Sequence, residues 1–297
     1  MTRLLWRALA TLCLCWHAVA GAQDGELTGT LKRARETSSV VIGFREASFP
    51  FSYLNAKGEP VGYSIDLCRG LVDAMSDEVG RELVIRWRPV TSATRLQAVA
   101  SGEVDLECGS TTSNVERQKV VAFSPTIFVS GTRLLVRRDS PVRSFRDLAG
   151  KGVAVTGGTT NEKTLRELAE KFRVDMKLVA APDHGEAFAM LKAGKVDAFA
   201  TDEVLLYGLL AREKAQQEYT IVGEFLSYDP YGIAFRKGDA QLASLVKRSF
   251  SSMAESRELQ HRYDQWFMHR LPSGERLNLP INPQLSTLFR ALSTQPE

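Results

Sequence analysis

Short apolar runs alternate with amphipathic stretches along most of this chain. Val40-Val41-Ile42-Gly43-Phe44, Leu83 to Val90, Val104 to Cys108, Gly152 to Thr156 and Met176 to Ala181 have strand length, and the shortest of them have a buried character. Between them, apolar residues recur at helical spacing. Ile65, Cys68, Leu71, Val72 and Met75 fall on one face of a helix that Ser64 can cap and that runs to about Asp77. Thr91-Ser92-Ala93-Thr94-Arg95 opens a second helix, which ends at Gly102. Strand and helix alternating at these lengths predict βαβ units and a parallel sheet.

The pattern occurs twice. Ser101-Gly102-Glu103-Val104-Asp105 is echoed by Ala193-Gly194-Lys195-Val196-Asp197, 92 positions later. Each copy reads as helix, glycine cap and strand, followed by polar residues: Ser110-Thr111-Thr112 in one and Thr201-Asp202 in the other. Two similar α/β lobes follow, with polar groups just past strand C-termini, where open α/β sheets bind ligands. Ser92 and His184 each lie nine residues before their copy of the motif, so they occupy equivalent turns.

The second copy has the strand Gly152 to Thr156, a Gly157-Gly158 turn, a helix from Leu165 to Phe172, and the turn Pro182-Asp183-His184-Gly185. Its last strand is Tyr219 to Gly223. Thr132 to Val136 leads out of the first lobe and Tyr231 to Phe235 leads back, before a long helical stretch from Asp239 to Phe267 and a short helix near Leu285 to Leu292. The expected division is residues 1–22 as a leader, 23–132 with 233–297 as lobe one, and 133–232 as lobe two. Two connecting strands suit hinge closure around a ligand.

The ends and the charge refine this picture. Arg3 and Arg7 accompany a short apolar run from Ala8 to Ala20, followed by small residues to Ala22. This is the pattern of a cleaved secretory signal; the run is short for a membrane span. Its removal takes two of the 38 basic residues and none of the 35 acids, leaving a net charge of +1. Composition therefore gives no nucleic-acid footprint. Two of the four cysteines remain, Cys68 and Cys108. In an oxidising compartment they either form one bridge or stay as buried thiols.

Three arginines carry the candidate chemistry. Arg45, Arg95 and Arg117 each follow a strand or sit in a turn near small hydroxyl residues. A guanidinium presents paired donors that match a carboxylate. Gly157-Gly158-Thr159-Thr160-Asn161-Glu162 opens a helix whose free N–H groups favour an anion, although Thr159 with Glu162 also makes a capping box. Asp202 is either a ligand group or the cap of the next helix, and Phe49-Pro50-Phe51 either walls a ligand or plugs a core. No metal-ligand spacing, Ser-His-Asp arrangement or G-x-S-x-G is present after residue 22.

Glu107-Cys108-Gly109-Ser110-Thr111-Thr112-Ser113-Asn114-Val115-Glu116-Arg117-Gln118-Lys119 strongly resembles the periplasmic amino-acid-binding proteins of ABC importers, specifically their glutamate/aspartate-binding branch. Arg45-Glu46, Pro50-Phe51-Ser52-Tyr53, Thr91-Ser92 with Arg95, Gly158-Thr159-Thr160 and Asp183-His184-Gly185 match in the same order. Broader relatives often carry an acid at the position of Ser64. Some glutamate/aspartate binders carry a cysteine at the position of Ala234, able to pair with the one matching Cys108, so the pairing of Cys108 stays open.

The resemblance implies an α/β, two-lobed, type II periplasmic-binding-protein fold with two hinge strands. It implies a monomer that captures L-glutamate or L-aspartate, delivers it to a membrane ABC permease, and uses no cofactor or metal. Arg117 would clamp the α-carboxylate with Thr112 and the Thr160 backbone. Asp202 would take the α-ammonium, with Ser110 supplying oxygen. Arg45, Ser92, Arg95 and His184 would receive the distal carboxylate. Three Arg and one Asp give that set a charge of +2, which favours a dicarboxylate over an amide. The competing readings are a glutamine/asparagine-preferring binding protein, an exported cyclohexadienyl dehydratase-like enzyme, and a sensory domain.

Overall fold

The computed structural model describes residues 26–271 and 273–294, so the leader expected at 1–22 lies outside the described residues. Two five-stranded sheets are built to one plan. In the first, Val84–Pro89, Ser39–Phe44 and Leu106–Glu107 lie side by side and parallel, and Ala234–Arg236 and Val121–Phe123 complete the sheet. In the second, Lys177–Ala181, Gly152–Thr156 and Ala198–Asp202 form the same parallel trio, completed by Thr132–Arg137 and Tyr219–Val222. In both, the fourth strand runs antiparallel to its neighbours. It is the strand that follows a passage between lobes.

The repeated motif has a structural purpose. Gly102 and Gly194 end their helices at φ +77° and +66°, where a Cβ is strained. Each motif aspartate then ties down the middle strand of its own parallel trio. Val41 N–H donates to the Asp105 carboxylate and Gly152 N–H to that of Asp197, both at 2.8 Å. These aspartates precede the third strand of each trio, so they sit at the end of the sheet opposite the polar loops.

The lobes are joined by Phe128–Ser130 and Asp229–Tyr231, which pair antiparallel. Apolar side chains cover both faces of each sheet. In lobe one the larger core includes helices Tyr63–Val79, Ala240–Glu255 and Glu258–Phe267, and the opposite face holds helix Arg95–Ser101. In lobe two, helices His184–Lys192 and Glu203–Glu213 pack on one face and Thr160–Phe172 on the other. Cys68 and Cys108 form a disulfide with Cα atoms 6.4 Å apart, which closes the question left by the sequence.

Several local expectations are corrected. Ser64 lies inside helix Tyr63–Val79, behind Gly62, and its hydroxyl donates to Gly109 O at 2.8 Å instead of capping. The stretch 239–267 is two helices, broken where Arg257 adopts φ +59°. The segment 231–235 is divided between the hinge pair and the sheet. The aromatic loop belongs to a small sheet of Ala47–Ser48, Ser52–Leu54 and Pro60–Val61. There Phe51 is fully buried among Tyr63, Phe128, Tyr231 and Phe267, so it plugs the core.

Candidate ligand-binding site

The nine residues singled out from the sequence meet at one place, where the C-terminal ends of the two parallel trios face each other. From lobe one, Arg45 follows Ser39–Phe44, Ser92 lies in the turn after Val84–Pro89, and Arg95 begins the next helix. Ser110 and Thr112 follow Leu106–Glu107, and Arg117 opens a short 3-10 turn. From lobe two, Thr160 and His184 are first residues of helices that follow Gly152–Thr156 and Lys177–Ala181. Asp202 ends the third strand. Repeat position thus becomes spatial position.

A narrow cavity of about 10 Å³ lies between the lobes. Arg95, Ser110, Thr112, Thr160, His184 and Asp202 line it, together with Thr159, Asn161 and Leu205. Arg45, Ser92 and Arg117 are not in that lining; they stand around it. Arg117 Nη1 donates to Thr112 O at 3.0 Å, and Nη2 reaches towards Gly158 O of lobe two at 3.5 Å. Thr112 and Thr160 face each other across the lobes with hydroxyl oxygens 3.2 Å apart.

Burial shapes the electrostatics. Arg45 and Arg95 are each 2% exposed. Burial, and then the neighbouring Arg95, pull Arg45 down to about 9, and the same two causes bring Arg117 to about 10. Arg95 is also lowered by burial. At these values Arg45 and Arg117 keep their charge at neutral pH. Burial and then the guanidiniums of Arg45 and Arg95 hold His184 well below its ordinary value, so it is a neutral imidazole. Its Nδ1 lies 2.8 Å from the Thr156 hydroxyl. Asp202 is pushed up to about 7 by burial and then by the carboxylate of Asp229.

Among the described residues Ser48 Oγ, Arg133 Nε and Arg236 Nε are buried donors without a protein acceptor, and three more stand beside the cleft: Arg45 Nη1, Ser92 Oγ and Arg95 Nε. These last three gather on the side assigned to a distal acidic group. A buried donor left unpaired costs stability unless something else supplies the acceptor.

The region from residue 40 to residue 269 matches the family described as bacterial extracellular solute-binding proteins, family 3. The chain belongs to that family. It is 43% identical to an L-glutamate/L-aspartate-binding protein of Pseudomonas aeruginosa, over 89% of this chain and 88% of that one. It is 38% identical to a glutamate/aspartate import solute-binding protein of Escherichia coli, over 97% and 96% of the two chains. Among solved structures it is similar to the ancestral amino acid-binding protein AncCDT-1, a precursor of cyclohexadienyl dehydratase. There the TM-score is 0.68 and the identity 28%, with 80% of this chain and 99% of that chain covered.

In this family-3 protein, sequence reasoning missed part of the polar network. Asp202 sits at the N-cap position but makes no capping bond. Its carboxylate accepts from Asn161 Nδ2 at 2.8 Å and from the Tyr231 hydroxyl. Asp229, in the hinge pair, accepts from Thr112 at 3.0 Å and Thr160 at 2.9 Å. Glu107 is fully buried beneath Thr111 and Arg95. The charge of +2 expected from three Arg and one Asp is therefore too simple, because Glu107 and Asp229 add two buried acids. What survives is local: Arg45 and Arg95 outnumber Glu107 by one charge on the distal side. Among the described residues no group of three His, Cys, Asp or Glu is placed to hold a metal.

Proposed function

We propose that this protein is a periplasmic receptor that closes on L-glutamate or L-aspartate and delivers it to a membrane ABC permease. The division behind this reading is a leader of residues 1–22, lobe one from 23–132 and 233–297, and lobe two from 133–232. Arg117, Thr112 and the Thr160 backbone hold the α-carboxylate; Asp202 and Ser110 take the α-ammonium. Arg45, Ser92, Arg95 and His184 receive the distal carboxylate.

The observation that carries this is the trio of unpaired buried donors on Arg45, Ser92 and Arg95. A carboxylate supplies the acceptors and offsets the one surplus positive charge. A distal amide offers one acceptor oxygen and no charge, so glutamine and asparagine bind more weakly. His184, neutral and held at Nδ1, completes the pocket as a hydrogen-bonding group. The relatives named above, called glutamate/aspartate binders, support the same ligand class.

Calorimetry tests the assignment. Arg95→Ala loses roughly 2–5 kcal/mol of L-glutamate affinity, the usual cost of truncating one side of a buried charge pair. Unchanged binding would refute the role of Arg95. A thermal-shift panel addresses the dehydratase reading: L-glutamate and L-aspartate raise Tm, whereas prephenate and arogenate neither raise it nor are consumed.

A further inference from the structure

Glu107 has no part in the ligand contacts assigned above, yet it is among the most deeply buried charged groups of the protein. It lies in the strand Leu106–Glu107, clamped between Gly43 on one side and Ala234 on the other. Its Oε2 accepts from Thr111 Oγ1 at 2.6 Å, and the same hydroxyl accepts from Arg95 Nη1 at 2.6 Å. One hydroxyl thus relays between the guanidinium and the carboxylate. On the far side, a Cβ added to Gly109 would lie 2.5 Å from Glu107 Oε1 and 2.8 Å from Arg45 Cγ. Only glycine lets the carboxylate and the Arg45 stem approach from both sides. Glu107 Oε1, Arg45 Nη1 and Arg95 Nε are all buried without partners.

A carboxylate in the core carries a large desolvation penalty. Packing between two strands gives no reason for one, since an apolar side chain fills the same space. The attraction of two buried guanidiniums does give a reason. Without Glu107 the distal side holds two positive charges; with it, one.

We infer that Glu107 sets the charge that the cleft accepts at the far end of its ligand, matching the site to a single negative charge, while Thr111 aims Arg95. This rests on the reading of Arg45 and Arg95 as partners of the distal acidic group. A monoanionic end neutralises the site. A dianionic end of similar shape overshoots and leaves a buried negative charge beside Glu107.

Two tetrahedral analogues of glutamate separate charge from shape: L-homocysteate, whose sulfonate has one charge, and L-2-amino-4-phosphonobutyrate, whose phosphonate has two at mildly alkaline pH. Calorimetry on the wild type and on Glu107→Gln, with L-glutamate as reference, gives the affinity ratio of phosphonate to sulfonate. Removing one buried charge raises this ratio by about tenfold or more. An equal ratio in the two proteins overturns the inference. Failure of the wild type to bind L-glutamate overturns instead the reading of the cleft on which it rests. If Glu107→Gln does not fold, the relay is still accessible. Thr111→Val lowers L-glutamate affinity by about tenfold, one hydrogen bond to a charged group, and Thr111→Ser restores it. Wild-type affinity in Thr111→Val sinks the relay.

Discussion

Which single residues stand around the cleft was partly legible in the sequence, and the reason is chemical. Arg45 follows a strand directly, Asp202 ends one, and Arg95, Arg117 and His184 lie in the loops or helix starts after one, so a correct strand assignment places them at the ends of the sheets. Asp229, Tyr231 and Asn161 were not legible, because they reach the cleft through the hinge crossing and a helix turn, which no local spacing encodes. Their effect falls on Asp202. With Asp229 nearby and burial complete, Asp202 reaches about 7, against an ordinary value of 3.8. In the proposed reading Asp202 takes the ligand ammonium, which needs the ionised form, so ligand binding is expected to release protons near neutral pH. Affinity for L-glutamate therefore falls as pH drops from 8 to 6, by at most about tenfold per unit. Calorimetry in buffers of differing ionisation heat checks this; no proton release at pH 7 would count against it. The ligand-free protein changes in the opposite sense. A carboxyl whose folded value is raised binds a proton more tightly than in the unfolded chain, so stability is lost as pH rises through 7. His184 acts with the reverse sign below 6.5, where the unfolded chain takes up a proton that the native imidazole refuses. Asp202 acts between about 3.8 and 7 and His184 only below 6.5, so of these two groups Asp202 alone sets the slope from 6.5 to about 7, above which the curve is flat.

Elements were read best where periodicity and caps agreed. Helix Arg95–Ser101 with its Gly102 cap, and helix His184–Lys192 with Asp183 bonded to Glu186 N–H, match their sequence signals. The failures share a cause. The break at Arg257 and the division of 231–235 are imposed by packing on lobe one and by the hinge, and both interrupt runs whose local pattern is continuous. The disulfide is an element-level device of the same kind. Cys68 lies in the core face of helix Tyr63–Val79, and Cys108 precedes the loop that carries Ser110, Thr112 and Arg117. The bridge spans 40 residues, and chain-entropy reasoning gives a loop of that size about 4 kcal/mol. Replacing both cysteines with serine lowers the unfolding free energy by up to about that amount. Denaturant titration of the double variant measures it. A variant as stable as the wild type would mean that the helix and loop are held by packing alone.

At the scale of the whole molecule, two lobes with one strand order meet through a set of contacts that can be named. Thr112 faces Thr160, Lys163 pairs with Glu116, and the Arg212 guanidinium lies 5.4 Å from the Tyr53 ring centre. Lys163 and Glu116 are both exposed, so solvent screens their pair and it contributes little. Another close approach involves the backbone of both lobes. Gly208, inside helix Glu203–Glu213 of lobe two, sits so close to lobe one that a Cβ there would lie 2.6 Å from Phe49 O and 2.9 Å from its ring. A carbonyl oxygen cannot swing away as a long side chain can. Gly208→Ala therefore separates two quantities that usually move together. Within the helix, alanine is favoured over glycine by about 0.8–1 kcal/mol, which benefits the ligand-free protein when the lobes are apart. Closure must absorb the added methyl, at about 1–3 kcal/mol of overpacking. The expected result is an unchanged or higher Tm without ligand, together with weaker L-glutamate binding. Small-angle scattering at ligand saturation should show a larger radius of gyration than in the wild type. If Gly208→Ala binds L-glutamate as tightly as the wild type, the lobes do not meet at Phe49 in the bound state, and closure must bring other surfaces together.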